Sequence, residues 1–141
     1  MKQEDKELLL RDLCGRLPYG VKMNHIADNE QNPKTLIGID RDYVSLQSTA
    51  GYSYVPVEDY KPYLFPLSSM TEEQKKFFKD RPIFLDSENE LVVKEDFFGN
   101  SRFTMLEDWV EVILWLVKNH FDYRDLIPKG LAIDCTNLNI Y

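Results

Sequence analysis

Between Glu4 and Leu17, Leu9, Leu10, Leu13, Cys14 and Leu17 recur at the spacing of one helix face, with Glu4, Asp5, Asp12 and Arg16 opposite. The stripe predicts a helix that buries Cys14 and leaves Leu8 partly exposed, and Pro18 and Gly20 stop it. From Val21 to Val57 the period changes to two. Val21, Met23 and His25 alternate with Lys22 and Asn24, and a polar loop runs from Asp28 to Pro33. Lys34 to Asp40, Tyr43 to Ser48 and Tyr52 to Val57 then read as strands joined by short turns, the arrangement of antiparallel neighbours. Pro56 places the last of them at an edge or ends it early.

Glu58 to Ser69 holds Pro62 and Pro66 among Tyr60, Tyr63, Leu64 and Phe65, which forbids helix and predicts an extended path across the surface. Thr71-Glu72-Glu73-Gln74 is a capping box opening a helix to about Lys79. Ile83 to Leu85 and Leu91 to Lys94 pair as a hairpin. Thr104-Met105-Leu106-Glu107 reads as a second capping box, starting a helix from Met105 to about Asn119. Its apolar arc (Leu106, Trp109, Val110, Val112, Ile113, Leu116, Val117) is broad enough to predict burial on two sides. Asp122 resembles an N-cap for a helical turn through Ile127, and Leu131 to Asp134 reads as a last strand. The fold class is therefore α+β in one domain, 1–141: an N-terminal helix, an antiparallel meander of about four strands, and a C-terminal helical part with one long buried helix.

Composition narrows the classes. The chain has 141 residues, 43% of them apolar, and a net charge of −7. Acids concentrate between Asp86 and Glu111, against Lys94 and Arg102 alone, so no basic footprint for direct nucleic-acid binding is present. The start, MKQEDKELLL, lacks a signal peptide's basic region, and the longest uncharged apolar run, Val112 to Val117, is far short of the roughly 20 residues a bilayer needs. Cys14 and Cys135 read as reduced thiols, which places the protein in the cytoplasm and off the membrane.

Three stretches, KELLLRDLCGRLPYGV (Lys6 to Val21), EDYKPYLFPLSSMTEEQ (Glu58 to Gln74) and HFDYRDLIPKGLAID (His120 to Asp134), resemble a group of short proteins from gut anaerobic bacteria and their phages or mobile elements. No activity is established for that group. The resemblance implies a cytoplasmic setting and an accessory role. This chain departs from the group at Phe65, where a basic residue is usual, and at Asp125, where glycine is usual.

Catalytic and cofactor patterns are scarce. Six glycines form no phosphate loop, and two histidines 95 positions apart suggest no metal site and no cofactor. His120-Phe121-Asp122-Tyr123-Arg124 has two readings: a general base, His120, oriented by Asp122, or a cap at Asp122 beside a His120 cation at a helix C-terminus. Cys14 with His25 makes a weaker thiol–imidazole pair. Aromatic residues crowd between Tyr43 and Phe65, and tyrosines on extended backbone suit contact surfaces. Trp115 falls on the polar face of its helix. Either the chain covers it, with the tail after Cys135 or the segment around Tyr63, or a second subunit or partner does. The candidate partner-binding residues are Tyr60, Tyr63, Phe65 and Trp115. The expected function is a non-catalytic interaction or accessory protein with a protein partner, homo-oligomerisation left open. The alternatives are an acidic mimic of nucleic acid built on residues 86–111 and a small enzyme around His120.

Overall fold

The computed structural model describes residues 1–29, 31–94 and 102–141, with side chains in the last range from Leu106 onward. Helix α1 (Gln3–Arg16) leads into an antiparallel meander of β1 (Lys22–His25), β2 (Lys34–Asp40), β3 (Tyr43–Ser48) and β4 (Gly51–Pro56). Strand β5 (Tyr60–Pro66) follows, then the short helix α2 (Glu72–Lys75), the hairpin β6 (Ile83–Leu85) and β7 (Leu91–Val93), helix α3 (Arg102–Lys118), and the short strands β8 (Phe121–Asp122) and β9 (Ile133–Asp134). The main sheet runs β4-β3-β2-β1-β5-β8, and β9 also pairs with β5. The α+β class and the meander are as predicted.

The proline-rich segment differs from its reading as a surface path. It is an interior strand, antiparallel to β1 and parallel to β8 and β9. Ile26 N–H donates to Asp59 O across the His25–Tyr60 pair, which makes Met23–Pro62 a pair that exchanges no hydrogen bonds. The N–H that Pro62 lacks would thus point away from β1. On that side β9 joins only from Tyr63, so the proline costs no ladder bond.

Helix α1 also turns a different face inward. Leu9 and Leu13 are buried as expected, but Asp12 and Arg16 are buried with them, while Cys14 is exposed. Hydrophobic patterning sends both charges outward; their mutual ion pair and the Arg16 bond to Phe121 O offset the cost of burying them. Cys14 is therefore not a core residue.

Two cores result. One lies between α1 and the inner sheet face, around Leu13, Met23, Leu36, Leu46 and Leu64. The other gathers Phe78, Ile83, Val112, Leu116 and Phe121 beneath α3. Each fully buried leucine or phenylalanine contributes about 1.5–3 kcal/mol. Helix α3 buries Val112, Leu116 and Val117 but leaves Leu106, Val110 and Leu114 exposed, so it covers one core from outside and is not buried on two sides.

The first capping box is present: Thr71 Oγ1 accepts from Gln74 N–H at 3.1 Å, and Gln74 Oε1 accepts from Thr71 N–H at 2.9 Å. The second is not, because α3 starts at Arg102 and Thr104 falls inside it. The side chain of Thr104 lies outside the described residues. Asp122 caps a turn and not a helix, accepting from the N–H groups of Arg124, Leu126 and Ile127. In that turn Asp125 has φ of 58°, left-handed backbone where glycine is least strained. No helix among the described residues is long and apolar enough to cross a membrane.

Candidate functional site

The two faces of the meander differ sharply. Val44 and Leu46 point inward and are fully buried. Tyr43, Ser45 and Gln47 point the other way, opposite Pro56, Tyr54 and Tyr52 of β4. Tyr52 is 75% exposed, Tyr54 56% and Tyr43 43%. The next row inward is small or polar: Thr35 faces Gln47, and Gly38 faces Ser45, with its missing Cβ 3.4 Å from the Ser45 Cβ. An aromatic margin thus borders a low, polar centre.

These tyrosines are partly fixed. Tyr43 and Tyr54 stack with ring centroids 5.0 Å apart and planes 17° apart. The Tyr54 hydroxyl donates to Asp40 Oδ2 at 2.9 Å, and that bond is the main cause raising the phenol's pKa above its ordinary value. Asp40, Arg41, Asp42, Tyr43 and Tyr54 line a recess of about 440 Å³ at this corner. Rings held by neighbours lose less entropy on contact than free ones, which favours binding without reorganisation.

The four aromatic residues nominated from sequence do not share a surface. Tyr60 and Tyr63 are buried in β5, with Tyr60 edge-on to His25. Phe65 is half-buried against Phe121 and Tyr141. Trp115 is half-buried and sandwiched: Phe77 stacks on it at 4.4 Å and 7°, Phe121 lies at 5.8 Å, and Phe78 meets it edge-on. Its cover is thus this chain's own turn after α2, and neither the segment around Tyr63 nor the tail. The exposed tyrosines, Tyr43, Tyr52 and Tyr54, lay in the same aromatic segment without being nominated. Their signal was parity: the Ser48–Gly51 turn aligns Tyr54 with Ser45, opposite in phase to Val44 and Leu46.

The cluster around His120 is structural in its geometry. His120 has φ of 64° and lies two residues past the end of α3, its N–H donating to Val117 O. Tyr141 stacks on the imidazole at 3.6 Å and 9°. The Tyr141 hydroxyl donates to Tyr63 O and accepts from Lys22 N–H, tying the tail across β1 and β5. Burial, with smaller effects from Arg16 and Lys22, lowers the His120 pKa to about 4, so the ring is neutral and not the helix-end cation expected from sequence. Asp122 spends its carboxylate on backbone N–H groups and donates no orientation to His120. Of the acids between residues 86 and 111, Asp86 closes the β6–β7 turn by accepting from Glu88 and Glu90 N–H, and Glu111 pairs with Arg81. Among the described residues no three His, Cys, Asp or Glu side chains are grouped to hold a metal.

Comparison with protein-family models, curated proteins and solved structures returned no match to this chain.

Proposed function

We propose that this chain is a non-catalytic interaction protein that meets a protein partner with the outer face of its meander, at Tyr43, Tyr52 and Tyr54. The observation that carries this reading is the exposure of three tyrosines on one sheet face, two of them stacked and one anchored to Asp40. Tyrosine on a strand gives large, rigid and amphipathic contact area, and exposing that area without a partner gains nothing for the fold. The setting we assign is cytoplasmic, supported by two free cysteines, one exposed and one buried. The resemblance to phage and mobile-element proteins supports an accessory role there.

A photo-crosslinking residue placed at Tyr52, in the organism that carries the gene, tests the reading. Discrete adducts at Tyr52, absent when the same residue replaces the exposed Lys129, support it. Equal or absent cross-linking at the two positions refutes it.

A further inference from the structure

Strand β4 is the edge of the sheet, and among the described residues β3 alone pairs with it. Val57 N–H donates to Asp42 O across the Tyr43–Pro56 pair, so that pair exchanges no hydrogen bonds of its own. Alternation along the ladder then assigns the same character to Ser45–Tyr54 and Gln47–Tyr52. The N–H and C=O groups of Tyr52 and Tyr54 therefore point outward, away from β3. Those of Ser53 point inward to Leu46.

Edges of this kind are normally guarded by charge, a bulge or proline. Here Gly51 to Val55 carries no charge, and Pro56 guards only the end. The outward groups sit one residue either side of Ser53. A two-fold axis through Ser53 therefore places Tyr52 opposite Tyr54 of another copy, with both N–H groups meeting both C=O groups, and repeats the match by symmetry. The charges agree with that arrangement. At the Pro56 end Asp40, Asp42 and Glu58 outnumber Arg41 and Lys6, the latter paired with Asp42 and Glu58, whereas Ser48 to Gly51 at the other end is uncharged. Antiparallel pairing sets the net-acidic end of one copy beside the neutral turn of the other, and parallel pairing would set two net-acidic ends together.

We infer that two copies of this chain pair antiparallel through β4, about a two-fold axis at Ser53, joining their sheets and their outer tyrosine faces. The inference rests on the contact-surface reading above and names its first partner, a second copy. Direct opposition of Tyr52 and Tyr54 across the axis adds aromatic contact to the backbone bonds.

At the axis, Ser53 faces its own copy in a non-hydrogen-bonded pair, where Cα atoms lie about 4.5 Å apart, within reach of a disulfide. In a Cys14→Ser background, Ser53→Cys should give a covalent dimer with glutathione disulfide, while Thr49→Cys at the turn should stay monomeric. Sedimentation of the unmodified full chain should show twice the 16.6 kDa mass as concentration rises. Tyr52→Pro, which removes an outward N–H without touching the β3 ladder, should restore the monomer. A chain that stays monomeric into the millimolar range, or equal cross-linking by Thr49→Cys and Ser53→Cys, overturns the inference. A monomer that still gives Tyr52 adducts with another protein refutes self-pairing and leaves the contact surface standing.

Discussion

Arg16 Nε lies 2.6 Å from Asp12 Oδ2, one helical turn back, and neither side chain is exposed. Arg16 Nη2 donates to Asp12 Oδ1 at 3.2 Å and to Phe121 O at 2.7 Å, so a charge on α1 reaches into the core beneath α3. Arg124 approaches the same carboxylate at 3.5 Å. The pair links the two cores. Removing one partner strands a buried charge, and Asp12→Ala should cost about 3–5 kcal/mol in denaturant unfolding. Replacing both, as Asp12→Leu with Arg16→Met, should cost less than either single change. A double variant as unstable as the sum of the singles would mean the pair is not acting as a unit.

His120 makes stability depend on pH. Its folded pKa, about 4, lies below the ordinary value of 6.5, so the unfolded chain binds the extra proton between those limits. The stability that neutral His120 provides is complete above pH 6.5 and is lost as pH falls towards 4. His120→Asn, which tolerates left-handed backbone, should flatten that part of the stability profile. A His120 imidazole titrating near 6.5 by NMR would contradict the half-buried neutral ring.

The cysteines should react in sequence. Cys14 is exposed on α1, whereas Cys135 is buried and its thiol is pushed up to about 11 by burial and the neighbouring Asp134. One equivalent of a thiol reagent should label Cys14 rapidly in the native protein, and Cys135 should follow only in denaturant. Peptide mapping that finds Cys135 labelled first would reverse the assignment.

Trp115 and Tyr52 should respond oppositely to truncation. Trp115→Ala removes the ring that Phe77, Phe78 and Phe121 pack against and should cost about 3 kcal/mol. Tyr52→Ala should change stability by no more than about 0.5 kcal/mol, since that side chain is mostly in water. Comparable losses from both would mean that Tyr52 is part of the fold and not a surface held for contact.

The meander was legible because strict alternation and short turns leave few other pairings. The face of α1 was not, since patterning treats Asp12 and Arg16 as separate charges and cannot register that four-residue spacing lets them neutralise each other inside. Helix α3 misled in the opposite sense: its broad apolar arc reads as burial, yet Leu106 and Val110 of that arc remain in solvent. For β5, Pro62 and Pro66 read as an extended path across the surface, because sequence does not reveal that the N–H Pro62 lacks faces a side where pairing begins later. The binding candidates followed that error. Tyr60 and Tyr63 were assigned to the surface with the segment that carries them, while Tyr52 and Tyr54, part of the same aromatic stretch, could not be singled out because their phase depends on strand register.

Site-specific photo-crosslinking at Tyr52 tests the account most directly, because it asks whether the outer face touches a protein where the chain normally works. The account predicts discrete adducts at Tyr52, lost when Tyr43 and Tyr54 are both changed to serine, and none at Lys129. Adducts that are absent at Tyr52, or equally abundant at Lys129, would contradict it.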